Sequence, residues 1–180
     1  MTRIFLCGDI METRLSLTEK DKKRLFAAIG HIIVRFQQVE LWVSEILAGL
    51  IELDHMDDRY AVMAAMSYRQ KVDLMVTLFP RKARNHFNTD IDLSRKALYL
   101  AEEFRNRVVH SVWAVSGDTW TREKGSLRGR SGFAKQSVCV DITQLEIAAE
   151  SLRTITEWYL VSSTKIEEAM SQLKACESST

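Results

Sequence analysis

Cysteine, proline and glycine are all scarce in this chain of 180 residues. The three cysteines, Cys7, Cys139 and Cys176, are odd in number, far apart and without a C-x-x-C pair. That excludes a disulfide scaffold and a zinc ribbon, and makes a reducing cytoplasm the expected compartment. One proline and seven glycines leave little to interrupt long helices. An excess of one charge is missing too, since 25 basic and 24 acidic side chains leave a net charge of +1. Attachment to nucleic acid by global charge is thereby excluded, though a local basic site is not. No run approaches the roughly 20 apolar residues that cross a bilayer, so no membrane association is expected. The run Ile4-Phe5-Leu6-Cys7 is too short for a signal-peptide core, and Gly8-Asp9 breaks it. What is present is globular composition, 46% hydrophobic and 27% charged, at the length of one domain. The chain reads as a single domain over residues 1–180, with 1–17 as a disordered N-terminal segment and Met1 or Met11 as the true start.

Helical periodicity fills most of that length. Thr18 followed by Asp21 is a helix start. Behind it Leu25, Ile29, Ile32, Phe36, Val39, Val43, Ile46 and Leu50 recur at alternating spacings of four and three. This predicts one helix over about 19–53. A second helix is predicted over 58–79 with Tyr60, Ala64, Tyr68, Val72, Met75 and Phe79 on one side and Pro80 as its stop. A third runs over 90–111, with Leu93, Ala97, Leu100, Ala101, Phe104 and Val108 facing inward. Residues 112–141 then turn β-prone and read as a hairpin or arm. Thr143-x-x-Glu146 has the form of a capping box opening a last helix over 143–174. The expected fold is all-α: a bundle of four to five helices, with a small β-hairpin inserted between the third and fourth.

Most catalytic templates are absent. The histidines His31, His55, His86 and His110 lack metal-binding spacings and carboxylate clusters, so neither a metal nor any other cofactor is expected. The segment that stands out is Glu102 to Trp113. On a helical wheel Phe104 and Val108 point inward, while Tyr99, Glu102, Arg105, Asn106, Val109 and His110 spread over the opposite half. Asn106 and His110 share a face. Arg105 and His110 diverge by roughly 140° at 100° per residue. Two aliphatic or aromatic residues beside Arg, Asn and His hint at a partner. If the surface meets its own copy about a two-fold axis, two Arg and two His can line one cleft.

Arg105-Asn106-(three residues)-His110, near the C-terminal end of a helix, resembles the R-x(4–6)-H motif of the HEPN superfamily, including the polar residue directly after the Arg. Those proteins are compact helical bundles, commonly dimeric, from toxin–antitoxin, defence and RNA-processing systems. The resemblance implies an HEPN-like up-down bundle, homodimeric with its site at the two-fold interface. It also implies a metal-independent endoribonuclease, a toxin or defence effector, in which a ribose 2′-OH attacks the adjacent phosphate. His110 would move protons and Arg105 would hold the phosphate and its added charge. Asn106 would orient the imidazole or bind the phosphate, and Arg107, nearer the core flank, is a weaker candidate. Where some HEPN toxins carry R-x4-H-x-Tyr this chain has Val112, so control by adenylylation is not implied, although an antitoxin or other regulatory protein remains an expected partner.

Blander readings stand beside these. Arg105, Asn106 and His110 also fit an exposed helix end whose His favours the helix dipole. Arg122, Lys124, Arg128 and Arg130 fit either an RNA track, with Trp113, Trp120 or Phe133 for stacking, or solvated loop charge. Glu40 and Lys71 fall inside or beside apolar stripes, where a lone charge is costly. They are expected to pair across a helix interface in a supporting rather than catalytic role. Leu41 and Trp42 lie off the main stripe and suggest a second packed face. The alternative functions are a non-catalytic HEPN-type module binding nucleotide, RNA or protein, and a helical dimerisation domain with an incidental Arg–His pair.

Overall fold

In a computed structural model the described residues are 18–82, 90–116, 119–127 and 133–176. Among them are six helices and three strands: α1 (Glu19–Leu50), α2 (Met56–Ala65), α3 (Tyr68–Lys82), α4 (Ile91–Val109), β1 (Val112–Ser116), β2 (Thr119–Leu127), β3 (Phe133–Val140), α5 (Ile142–Thr156) and α6 (Ser163–Ala175). The chain is mainly helical with one small antiparallel sheet. The N-terminal segment 1–17 and His86 lie outside the described residues.

Helix α1 begins where the sequence indicates. The Thr18 hydroxyl accepts the Asp21 amide and the Asp21 carboxylate accepts the Thr18 amide, a reciprocal cap on the first turn. Leu25, Ile32, Phe36, Val39, Val43 and Leu47 are buried along its inner face. The helix ends at Leu50 rather than near residue 53, because Glu52 takes a left-handed conformation (φ 60°) and turns the chain toward α2.

The segment predicted as one helix over 58–79 is two helices. Met66 is extended (ψ 137°), and Ser67 restarts the helix. The Gln70 side chain accepts from the Ser67 amide at 2.8 Å while the Ser67 hydroxyl accepts from the Gln70 amide. Ser67-x-x-Gln70 is thus a second capping box. The break also turns α2 so that only its Met63 is buried in the core, and Tyr60 is 69% exposed instead of sharing the face of Tyr68. Pro80 does not stop α3 but sits inside its last turn. Only Arg81 and Lys82 follow it, so one missing amide bond is tolerated there. Lys82 then bonds Glu52 at 2.8 Å and anchors the end.

The predicted helix over 143–174 also divides. Its N-cap is Asp141, whose carboxylate accepts the Thr143 amide, whereas Glu146 reaches across to Arg24 at 2.8 Å instead of closing a box with Thr143. After Thr156 the chain turns over residues 157–162 so that Trp158, 1% exposed, enters the core against Phe79 with ring centroids 5.2 Å apart. Helix α6 folds back on α4 and α5. Burial of that large indole outweighs continued helix across the turn.

The predicted hairpin or arm is a three-stranded meander in the order β1-β2-β3. Its register pairs Trp113 with Arg122 and Arg122 with Val138, and pairs Trp120 with Val115 and Val140. Residues paired across strands share a face, so Trp113, Trp120, Arg122, Val138 and Val140 lie together. Trp120 and Val140 join the helical core.

Candidate functional site at the end of helix α4

The side-chain contacts fix how the helices run. Tyr68 stacks near Phe36 (5.1 Å between centroids), Lys71 meets Glu40 and Lys82 meets Glu52, so α3 runs parallel to α1. The Tyr99 hydroxyl bonds Asp73, and Arg69 bonds both Glu102 (2.6 Å) and Glu103 (3.1 Å), so α4 runs antiparallel to α3. Arg69 is the second residue of α3. The last turns of α4, from Arg105 to His110, therefore run past the start of α3, beside the first half of α1.

Three consecutive carbonyls in the last turn of α4 each find a donor. The His110 amide donates to Asn106 at 3.0 Å, the Ser111 hydroxyl to Arg107 at 2.6 Å, and the Trp113 indole to Val108 at 3.1 Å. Helix ends leave such carbonyls without intrahelical partners, and satisfying them holds the terminus in one conformation. His110 is the C-cap and is exposed.

Arg105 is half-buried. Its guanidinium carbon lies 4.4 Å from the centroid of the Phe36 ring, a cation–π contact with a side chain that is itself 1% exposed. Other arginines are spent on carboxylates: Arg69 on Glu102 and Glu103, Arg95 on Asp73, and, farther along α1, Arg24 on Glu146 and Arg59 on Glu45. Among the described residues, no carboxylate lies within 4.0 Å of Arg105. Its hydrogen-bonding fork is held on an aromatic platform without an acidic partner, an arrangement suited to an anion from outside.

Other sequence candidates distribute differently. Asn106 is half-buried on the side of His110. Arg107 is half-buried and already engaged in interactions of its own. Arg122 was expected in an exposed basic track; it is 7% exposed on the inner face of the sheet and also engaged, because the β2 register turns it inward. The Lys124 side chain, Arg128 and Arg130 lie outside the described residues. Lys71 and Glu40 do meet, with Nζ 3.4 Å from the carboxylate. Tyr99, read as a partner-facing aromatic, is instead enclosed by the Arg69 and Arg95 guanidinium groups (5.0 and 5.3 Å) and bonded to Asp73. Val109 and Val112 remain exposed beside the motif. Leu41 and Trp42 are exposed as well, although the Trp42 ring lies 6.1 Å from that of Tyr159, so among the described residues that second face of α1 is only partly covered. Among the described residues no group of three or more His, Cys, Asp or Glu converges as a metal site, and no helix is long and apolar enough to cross a membrane.

The sequence reading missed Phe36 and Tyr68 as parts of the site. Burial pushes the Tyr68 phenol well above the ordinary tyrosine range, with the Glu102 and Glu40 charges acting in the same direction and Arg105 opposing them. Its hydroxyl donates to the Leu98 carbonyl at 3.2 Å. The sign of the pH effect follows. Above the ordinary value of about 10, the unfolded chain releases this proton while the folded chain keeps it, so stability falls as pH rises toward the folded pKa. Denaturation midpoints measured on either side of pH 10 should show that loss, and Tyr68→Phe should flatten the slope.

Comparison with family models, with curated proteins and with solved structures finds no match. The functional reading rests on the α4 terminus itself.

Proposed function

We propose that this protein is a metal-independent endoribonuclease of the HEPN type, an HEPN-like bundle acting as a homodimer whose paired α4 ends form the site. The supporting observation is the Arg105 guanidinium, stacked on Phe36 and without a carboxylate partner among the described residues, on the same helix end as the exposed His110. A phosphodiester supplies the anion that Arg105 lacks. Because Arg105 and His110 diverge around one helix, the reading takes Arg105 from one copy and the partner subunit's His110 from the other. Exposed Val109 and Val112 supply apolar contact for that pairing.

The chemistry is in-line displacement at phosphorus. The ribose 2′-oxygen bonds to phosphorus as its proton passes to the neutral imidazole of His110. The bond to the 5′-oxygen breaks, that oxygen receives the proton back from the imidazolium, and a 2′,3′-cyclic phosphate remains. Arg105 stabilises the additional negative charge of the pentacoordinate transition state. Asn106 hydrogen-bonds the phosphate or the imidazole. A toxin or defence role, with an antitoxin-like regulator, is the biological setting this reading carries.

The test is cleavage of single-stranded RNA in EDTA, with product ends identified by mass. Wild type should leave 2′,3′-cyclic phosphate ends, and Arg105→Ala and His110→Ala should both lose cleavage while melting like wild type. RNA binding without cleavage in wild type would replace the enzyme reading with a binding module. A dimer that neither binds nor cleaves would leave only a scaffold.

A further inference from the structure

Two carboxylates stand one helical turn from the Arg105–Phe36 contact, and both are held by other cations. Glu40 is one turn from Phe36 on α1, and residues four apart share a helix flank. The guanidinium stacked on Phe36 thus sits on the helix flank that also carries Glu40. Glu102 stands three residues before Arg105 on α4, again one turn away. Phe36, which carries Arg105, also packs against Tyr68 (5.1 Å between ring centroids), and Tyr68 opens the helix that supplies Arg69 and Lys71. Yet Glu40 receives Lys71 Nζ at 3.4 Å, and Glu102 receives Arg69 Nε at 2.6 Å.

Lys71 is the unexpected member. It is 6% exposed, whereas lysine is almost never buried without strong compensation, and its single carboxylate contact is long. Packing alone would be better served by an apolar residue of the same length. We propose that Lys71 is a positioning residue for the anion site: by holding Glu40, it prevents Arg105 from collapsing into an internal ion pair and keeps the guanidinium open to phosphate. Arg69 does the same with Glu102 on the other side. This rests on the reading of Arg105 as an RNA-phosphate ligand, but its effect on Arg105 is visible without RNA.

The experiment compares Lys71→Met, Glu40→Gln and the double variant, all as the full chain. The first readout is the Nε–Hε resonance of Arg105 in the RNA-free protein. The second is affinity for a fluorescent single-stranded RNA. In Lys71→Met the released Glu40 should capture Arg105, shifting its resonance and slowing exchange of its Hε with water. RNA affinity should fall roughly tenfold, the loss of one charge-assisted contact. The double variant should recover both to within roughly twofold of wild type, and Glu40→Gln alone should leave both unchanged. A merely structural lysine predicts equal defects in the single and double variants. Should Lys71→Met unfold, the half-exposed Arg69 gives the same test: Arg69→Met should quench Arg105 through Glu102, and Glu102→Gln should restore it. An Arg105 resonance that ignores these substitutions overturns the inference even if RNA is cleaved. A resonance that moves as stated, in a protein that ignores RNA, upholds it and removes the nuclease instead.

Discussion

His110→Ala should reduce RNA cleavage by about 10²–10⁴-fold, the range for loss of a positioned general acid–base group. Folding should be almost unaffected, since among the described residues the exposed imidazole makes no bond that holds α4. The bonds that close the helix come from the His110 amide, Ser111 and Trp113, and alanine retains the first of these. RNA affinity should also change little, because the phosphate contact is assigned to Arg105. Arg105→Ala should differ in kind: it removes the phosphate ligand, so binding and turnover fall together. Single-turnover kinetics with saturating enzyme would separate the two. If His110→Ala cleaves at the wild-type rate, the imidazole has no role in proton transfer.

The largest effect on stability should come from Phe104→Ala. This ring is fully buried, next to the site in sequence but on the opposite flank of α4, within the core shared by α1, α4, α5 and α6. Truncating it leaves a cavity bounded by helices that have little freedom to close in, at a cost of about 3–5 kcal/mol. Domains of this kind have about 5–15 kcal/mol in total, so a large share of the stability is lost. The melting temperature should drop by roughly 10 °C or more. Phe26→Ala provides the contrast: at 64% exposure it should change stability by no more than about 0.5 kcal/mol. Equal melting temperatures for the two variants would mean that the α4 core is packed differently from the arrangement described.

How much of this was legible in the sequence depends on the range of the interaction that decides each feature. The start and inner face of α1 were readable, because Thr18, Asp21 and the apolar spacing act within a few residues. So was the α4 terminus, since Arg105, Asn106 and His110 share one helix end. The break at Ser67 was written just as locally, in Ser67-x-x-Gln70, but the apolar periodicity that runs from Tyr60 through Phe79 masked it. The turn at 157–162 was marked only by Ser162-Ser163-Thr164, and its cause, the burial of Trp158 against Phe79, lies far away in sequence. The same holds for the site. Phe36 has the spacing of an ordinary core residue, and nothing in the sequence says that a guanidinium from another helix lies on its ring. A pairing of Glu40 with Lys71 across two helices followed from the cost of lone charges, but that the helix carrying Lys71 runs parallel to α1 did not. Arg122 illustrates the converse. Its neighbours in sequence are basic and glycine-containing, yet strand register turns it inward.

The claim on which the nuclease account depends is that one copy supplies the guanidinium and another the imidazole. Mixing purified Arg105→Ala with purified His110→Ala, each inactive alone, tests it directly once subunits have exchanged. The account predicts that RNA cleavage returns, because the mixed dimer pairs an intact Arg105 with an intact His110 across its two-fold axis. A mixture that exchanges subunits yet stays inactive would contradict it.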